Sequence, residues 1–295
     1  MAFRVFLLVL PALALANIEI DLSGTIDKNP KLDFSGQEVD IISDSERQLF
    51  QLSDSNLKQG VSAYFGGSPD DVYLKSPTPW GDLFKSYGWH QVARTLAPKS
   101  GKILSVSSQP QIVLKQYFEN NSSKPAMFNV GISQAVQNTM KSSWSKSDGY
   151  TIGSEINYGF DIEFAKVGGK TSFNFTSAWG STKEKSETVT VGSTSQMQVL
   201  LQPGQSVVAE LQATRGALKV QMEYEATLSG ALATNYNTPH KGHHFWGLDV
   251  NSVMSHAGLE RTKMSTQYIE VAFFSNSQVI VYDKKSKLRI MKVDF

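Results

Sequence analysis

The sequence predicts a mainly β protein in which long antiparallel strands follow a smaller α+β region at the amino terminus. Strand-like stretches succeed one another from Lys102 onward. Several of them exceed the usual strand length of about five or six residues. Helical spacing of apolar residues is found instead between Ser53 and Trp89. Strands of this length indicate an elongated sheet and not a compact sandwich.

The amino terminus has the order of features of a secretory signal. Arg4 supplies a short positive region, an apolar stretch follows it, and residues 14–16 have the small-x-small form that signal peptidase accepts. A transmembrane anchor would need about 20 apolar residues, and polar Asn17 and Glu19 come too early for that. We therefore expect residues 1–16 to be a signal peptide and the protein to be secreted to the extracellular space.

Composition excludes several classes of protein. The chain of 295 residues has a formal net charge of +1 and no cysteine. Residues 1–16 hold one base and no acid, so the mature chain has a formal charge of +1 − 1 = 0. A near-neutral chain has no electrostatic footprint for nucleic acid, and a chain without cysteine is not a disulfide-stapled scaffold. Glycosylation sequons at Asn120, Asn121 and Asn174 fit an extracellular route.

Residues 17–125 are predicted to form the α+β head, or binding region. Short strands are expected at residues 18–22, 38–42 and 70–74. A helix capped by Ser53 or Asp54 should end before Gly66. A second, amphipathic helix is expected between Pro77 and Trp89, because its aromatic residues fall at helical spacing. These aromatics either pack a core or form a platform for a carbohydrate or lipid headgroup, with Trp80 and Trp89 as candidate ligand residues.

Residues 126–295 are predicted to form the elongated β module. A turn is expected at Pro203-Gly204, and the β-branched residues from Thr188 to Val191 suit a pleated surface. The strands of the module, together with two that precede it, are expected at residues 102–107, 110–118, 126–132, 150–164, 171–180, 186–201, 205–214, 217–230, 264–274, 278–283 and 287–293.

Residues 152–181 predict an amphipathic hairpin, which is the most informative segment of the chain. Alternate residues of a strand share a face, and here one parity is apolar while the other is acidic or polar. The apolar face comprises Ile156, Tyr158, Phe160, Ile162, Phe164, Phe173, Phe175 and Trp179. The polar face comprises Glu155, Asn157, Asp161, Glu163, Asn174 and Thr176.

The register of this hairpin is predicted from its turn. Gly168 and Gly169 offer a two-residue turn, because positive φ costs glycine little. Folding the chain at that point pairs Phe164 with Phe173, and Tyr158 with Trp179. Both strands are then sorted by polarity, and a slip of one residue would destroy the agreement.

Such a hairpin has two interpretations. A membrane β-strand needs about 9–11 residues with apolar and polar side chains alternating, and residues 156–164 and 173–181 are nine residues each. Tyr158 and Trp179 would then be interfacial anchors. Several chains would each donate a hairpin to a closed barrel, since a lone hairpin leaves backbone groups unpaired in hydrocarbon. The alternative is an ordinary half-buried hairpin that covers a soluble core.

The sequence contains no catalytic constellation. It has no Gly-x-Ser-x-Gly elbow, no His-Glu-x-x-His and no cysteine nucleophile, so neither an enzyme nor a cofactor is expected. Three histidines, His240, His243 and His244, are close in sequence and form a structural loop, a pH switch or a metal site. Adjacent His243 and His244 would point to opposite sides of an extended chain, which argues against a shared metal.

Several segments carry a resemblance to a known family. The longest is residues 144–160, and the others are Pro203 to Ala209, Tyr224 to Gly230, Trp80-Gly81-Asp82-Leu83, Tyr87-Gly88-Trp89 and His243-His244-Phe245-Trp246. Together they resemble the insect follicular epithelium yolk protein and slime-mould spherulin group, within the aerolysin-like superfamily of β-pore-forming proteins. The resemblance covers roughly residues 75–295.

The resemblance implies an aerolysin-like fold, with a membrane- or receptor-binding head before an elongated module whose hairpin converts into a barrel. It implies a lipid or glycan receptor and a homo-oligomer on the membrane. It equally implies an egg or yolk component without lytic activity, and a third hypothesis is a carbohydrate-binding module that uses Trp80, Trp89 or Trp246. A glycan on Asn174 would sit in the narrow lumen of a barrel and would argue against a pore.

Overall fold

The computed structural model describes residues 18–25, 28–145, 155–164, 170–193 and 197–295. The predicted signal peptide lies outside these residues and stays a prediction. Gly168 and Gly169 also lie outside them, but the pairing of Glu163 with Lys170 excludes the predicted two-residue turn. Antiparallel strands dominate the described residues, and four short helices accompany them, so the mainly β prediction is confirmed. No helix in the described ranges is long and apolar enough to cross a bilayer.

The described residues form sixteen strands and four helices. In chain order they are β1 Ile18–Thr25, β2 Lys28–Ser35, β3 Glu38–Ile41, α1 Asp44–Leu49, α2 Asp54–Phe65, β4 Asp71–Tyr73, α3 Pro79–Tyr87, β5 Ala93–Glu119, β6 Ala126–Asn129, β7 Ile132–Trp144, β8 Glu155–Phe164, β9 Lys170–Ala178, β10 Lys183–Ser193, β11 Gln198–Leu201, β12 Ser206–Ser229, β13 Ala231–His240, β14 His243–Asp249, α4 Val250–His256, β15 Thr262–Asp283 and β16 Arg289–Asp294.

The largest sheet has the order β10-β7-β15-β12-β5-β3, and β16 pairs with β15. Three of its strands are very long, since β5, β12 and β15 have 27, 24 and 22 residues. From the sequence, each of these three strands is predicted as two. In β5 the predicted break falls on the polar run from Ser107 to Pro110, where the register is continuous. In β12 and β15 the reason is a register shift at a bulge between Gln212 and Thr214. A bulge adds a residue and moves the apolar parity to the other face, which breaks the alternation without ending the strand.

Two apolar clusters lie along this sheet. The larger one contains buried residues of β12 and β15, such as Val220 and Ile269, together with Leu57 of α2 and Val253 of α4. The smaller one lies at the other end of β12 and β15, where β11 contributes buried Leu201 and β6 contributes partly buried Phe128. The long strands therefore connect two separate cores, as an elongated module requires.

The helices α2 and α3 form where the sequence predicts them. Ser53 caps α2 by accepting a hydrogen bond from the backbone N–H of Asn56, and Gly66 ends the helix at a φ of 85°. The strands β13 and β14 and the helix α4 were not predicted. They join the head, because β13 pairs with β4 and α4 packs against α2 at Gly60. Elements from both sides of residue 125 therefore share the head, and the division at that residue stays a prediction.

Candidate functional site

The predicted hairpin is formed by β8 and β9. The two strands pair in antiparallel register and have 10 and 9 residues. These are lengths at which a β-strand can cross the hydrocarbon core of a bilayer. The structure describes the backbone register of this hairpin, and that register decides which residues share a row.

The register predicted from the diglycine turn is wrong. Phe173 is the partner of Phe160 and not of Phe164, so the shift along the strand is 164 − 160 = 4 residues. Tyr158 is the partner of Phe175, whereas Trp179 lies beyond the end of β9. The physical reason is that side chains alternate with a period of two, so registers that differ by an even number of residues sort the two faces equally well.

The sorting by polarity is retained in the observed register. On the polar parity Asn157 is opposite Thr176, and Asn174 is opposite Gly159. On the apolar parity the pairs of Phe160 with Phe173 and of Tyr158 with Phe175 bring aromatic residues to the same rows. Aromatic cross-strand pairs are among the more stabilising ones in antiparallel sheets.

A strand from the amino terminus pairs with the outer edge of this hairpin. β1 lies parallel to β8, with Ile18 opposite Tyr158 and Ile20 opposite Phe160. β2 pairs with β1 in turn, so the sheet has the order β2-β1-β8-β9. Ile18 and Ile20 are fully buried in the larger core. The hairpin therefore begins as part of a four-stranded sheet, which sequence analysis did not predict.

Acidic residues meet across the same sheet. Asp21 of β1 is the register partner of Asp33 in β2 and of Asp161 in β8. Like charges directly opposite one another destabilise a strand pair. Lys31 Nζ lies 2.6 Å from Asp33 Oδ2, which offsets part of the repulsion on the β2 side. In the contact between β1 and β8, Ile18 and Ile20 are buried, whereas Asp21 is the register partner of another acid, Asp161.

The aromatic residues predicted as a ligand platform lie on one face of the head. Trp80 contacts Phe245, with ring centroids 5.2 Å apart. Trp80 also contacts Tyr73, and Phe245 also contacts Tyr87. Trp80 is 48% exposed and Tyr87 is 53% exposed. Burial, with nearby carboxylates, raises the pKa of Tyr73, which keeps its phenol neutral. These rings form an exposed aromatic shelf, defined here as Tyr73, Trp80, Tyr87 and Phe245.

Trp89 supports this shelf from below. Its ring is stacked on Tyr87 at 4.7 Å with an interplanar angle of 15°. Its ring also contacts the backbone of Gly247, where a Cβ would lie 2.6 Å from the indole. Trp89 is therefore enclosed between Tyr87 and Gly247, and the exposed rings are those of Trp80 and Tyr87.

The backbone at the start of α3 holds Trp80 outward in an unusual conformation. Trp80, Gly81 and Asp82 have φ values of 62°, 77° and 65°. Non-glycine residues at positive φ are uncommon and cost energy that surrounding contacts must offset. The contacts are present, since Ser76 Oγ donates to Asp82 Oδ1 at 2.9 Å and Leu83 N donates to Thr78 Oγ1 at 2.7 Å.

The three clustered histidines lie at the tip of the hairpin formed by β13 and β14. His240 stacks on Tyr236, with ring centroids 4.9 Å apart, and is the register partner of His243. His244 Nδ1 lies 2.6 Å from the carbonyl oxygen of Tyr236. Trp246 packs against Phe65 behind them. The described residues contain no group of three or more histidine, cysteine or acidic residues placed to hold a metal ion.

The sequons differ in their surroundings. Asn120 is 1% exposed, and its amide nitrogen donates to the carbonyl oxygens of Lys124 and Leu201. Asn121 is exposed in the loop between β5 and β6. A glycan on Asn120 would break two buried hydrogen bonds, so Asn121 is the position of the pair that this fold leaves free for modification.

The fold and the family define the class of this protein. A sheet of very long antiparallel strands together with an antiparallel hairpin makes an aerolysin-like toxin fold. The chain belongs to the family described as Clostridium epsilon toxin ETX/Bacillus mosquitocidal toxin MTX2, whose sequence profile matches residues 92–279. The narrower resemblance to the yolk protein and spherulin group stays a prediction.

Similar proteins include three toxins from Megalopyge moths. U-megalopygitoxin(8)-Mc8 of Megalopyge crispata is 36% identical, over 92% of this chain and 93% of its own length. U-megalopygitoxin(8)-Mo12 of Megalopyge opercularis is also 36% identical, over 92% and 93%, and Mo15 of the same species is 30% identical, over 92% and 87%. The parasporin-2 toxin of Bacillus thuringiensis, which recognizes cancer cells, has a TM-score of 0.53 at 17% identity, over 83% of this chain and 97% of its own, and it shares the fold.

Proposed function

We propose that the protein is a secreted pore former that binds membranes through its head, assembles with further copies and inserts β8 and β9 into the bilayer as part of a shared β-barrel. The observation that carries this proposal is the hairpin itself. Its strands of 10 and 9 residues alternate in polarity, and their register pairs Tyr158 with Phe175 and Phe160 with Phe173. Membership of the ETX/MTX2 family supports the same function.

Assembly follows from backbone hydrogen bonding. A single hairpin has two outer edges, and each backbone group left unpaired in hydrocarbon costs several kcal/mol. A closed ring of hairpins from several copies removes those edges. The outer edge of β8 already pairs with β1 in this state, so the same groups can pair with a neighbouring copy after β1 leaves.

The aromatic shelf is the proposed contact with a membrane lipid or glycan receptor. Trp80 and Tyr87 expose rings that combine an apolar body with a polar tip. Such rings are favoured at bilayer interfaces and at binding surfaces. The enclosed ring of Trp89 and the strained backbone at Trp80 both hold the shelf in place.

Dye release from liposomes tests the insertion step. Phe160→Lys puts a charge on the apolar parity of β8, and a lysine that faces the middle of a bilayer costs about 2–4 kcal/mol. We expect Phe160→Lys to reduce release at least about tenfold, while Asn157→Lys, on the polar parity of the same strand, retains it. Circular dichroism establishes that both variants fold. Equal release by the two variants would contradict insertion of β8.

A second candidate function is that of a non-lytic egg or matrix protein with the same fold. The complete burial of Ile18 and Ile20 beside β8 favours it, since it makes the hairpin part of a four-stranded sheet anchored in the core. Dye release and detergent-resistant oligomers separate the two functions. Clean monomers and an absence of release from every lipid mixture would support the matrix protein, as would a glycan on Asn174.

A further inference from the structure

A strip of imidazole and aromatic rings covers the end of the head next to the β13–β14 tip. His256 of α4 contacts Tyr64 of α2, with ring centroids 5.0 Å apart. Phe65, the next residue, contacts His240 at 5.3 Å and Trp246 at 4.9 Å. The histidines of the tip are close together in the sequence, whereas His256 joins them only in the fold, because the two segments meet through α2.

The strip continues across the tip. Trp246 contacts His243 at 5.2 Å in an edge-on arrangement. Lys241 Nζ lies 3.8 Å from the ring centroid of Phe65, within cation–π distance. His243, His244 and His256 are exposed, and His240 is half-buried. The imidazole strip, defined as His240, His243, His244 and His256 with the rings between them, thus holds four of the five histidines of the chain.

Three of the four imidazoles of the strip make hydrogen bonds to backbone carbonyl oxygens. His256 Nδ1 lies 2.8 Å from the Ser252 carbonyl oxygen, His244 Nδ1 lies 2.6 Å from that of Tyr236, and His240 Nε2 lies 3.3 Å from that of Phe65. A carbonyl oxygen only accepts, so each of these nitrogens carries hydrogen. The second nitrogen of each ring can then be protonated without breaking a bond.

The carboxylates on the neighbouring elements keep their charge, but none of those in the described residues is paired with an imidazole of the strip. The Asp70 carboxylate, beyond the end of α2, accepts from the backbone N–H of Asn237. The Asp249 carboxylate, at the start of α4, accepts from Ser252 N and Oγ. Each of these two acids is already engaged by a group other than an imidazole.

The remaining charges near α4 and α2 are also accounted for. Glu260, after α4, is paired with Lys263 at 2.6 Å, and Arg261 lies between them in the chain. Lys58 of α2 donates to the carbonyl oxygen of Asp70 at 2.6 Å. Burial raises the pKa of Tyr236, so the phenol that stacks on His240 stays neutral. Among the ion pairs of the described ranges, none joins a carboxylate to a histidine of the strip.

We propose that the imidazole strip is an acid-dependent contact surface for anionic membrane lipid. Histidine gains positive charge between about pH 8 and pH 5, so acidification turns a weakly charged strip into a cationic one. Anionic lipid headgroups attract such a surface by a factor of about five for each nearby positive charge. The exposed Tyr64 and the half-buried Trp246 are rings that favour the headgroup level of a bilayer, which favours lipid over a sulfated glycan.

This proposal rests on the proposed membrane function, but its readout is binding and not pore formation. The full-length protein is sedimented with phosphatidylcholine vesicles, with and without phosphatidylserine, at about pH 7.5 and pH 5.5. We expect affinity for the anionic vesicles to rise at least about tenfold on acidification. Phe160→Lys, which should lose dye release, should keep this rise, so failure of insertion and failure of the strip are distinguishable.

The decisive variant is His243→Gln/His256→Gln, which removes two exposed imidazoles of the strip. We expect its gain in affinity on acidification to be at least about fivefold smaller than that of the wild type. His90→Gln is the matched control, because His90 is the exposed histidine outside the strip. An unchanged gain in the double variant, or an equal gain on pure phosphatidylcholine, would overturn the proposal. Acid-dependent retention on heparin without vesicle binding would assign the strip to a sulfated glycan instead.

Discussion

At the scale of the residue, a buried ion pair joins the head to the base of the hairpin. Arg94 Nε of β5 lies 2.7 Å from Glu46 Oε1 of α1, and neither side chain has any exposed area. The guanidinium of Arg94 also lies 5.9 Å above the ring of Trp179, the residue after β9. Desolvating two charges costs several kcal/mol for each ion, so such a pair adds little net stability. Removing only one of the two charges is the costly change, because the other charge then stays buried without its partner.

The cost of leaving one charge of this pair behind can be measured. Glu46→Gln removes the carboxylate that is paired with buried Arg94, although the half-buried Glu38 carboxylate still acts on the same charge. We therefore expect the free energy of unfolding to fall by about 3 kcal/mol. Glutamine still suits the capping box that Glu46 forms with Ser43, so the loss reports the charge. The double variant Glu46→Gln/Arg94→Met should recover most of the loss in urea unfolding. Equal destabilisation of the single and double variants would show that packing, and not charge, is lost.

At the scale of the element, the sequence predicts strands better than it predicts their partners. The alternation of β8 and β9 follows from residues a few positions apart, whereas β1 and β8 meet across more than a hundred residues of chain. β7 was missed because two of its four buried positions, Asn138 and Ser142, are polar. Asn138 Oδ1 accepts from the backbone N–H of Phe274, and Ser142 Oγ accepts from Gln267 Nε2. A hydrogen-bonding partner on another strand makes these residues suitable for burial, and local alternation does not reveal it.

The register of the β8–β9 hairpin can be tested by disulfide formation. Register partners have Cα atoms about 4.5–5.5 Å apart, which suits a disulfide. Phe160→Cys/Phe173→Cys should therefore form an intramolecular disulfide under mild oxidation, as read by mass spectrometry without reduction. Phe164→Cys/Phe173→Cys is the control, because the register predicted from the diglycine turn would pair these two residues. In the observed register its cysteines would be about 13 Å apart along the strand. Preferential closure of the second pair would contradict the observed register.

At the scale of the whole molecule, insertion requires the hairpin to leave the sheet in which it is folded. The long strands of the main sheet and the head can stay in place, because β8 and β9 pair only with each other and with β1 among the described strands. The buried row of Ile18 and Ile20 opposes departure, while the opposed Asp21 and Asp161 favour it. In the proposed mechanism, the contact between β1 and β8 is therefore the point at which the folded sheet and the inserted barrel compete.

A tether across that contact tests the competition. Asp21 and Asp161 are register partners, so Asp21→Cys/Asp161→Cys should form a disulfide that holds β1 on β8. We expect the oxidised protein to bind liposomes and release no dye, and reduction to restore release, because the edge of β8 is then free to pair with another copy. Asp21→Ser/Asp161→Ser removes the same two charges without a tether and should release dye under both conditions. Release by the oxidised variant at the rate of the reduced one would mean that β8 reaches the membrane with β1 still attached, and the barrel would then have to contain the amino-terminal strand as well.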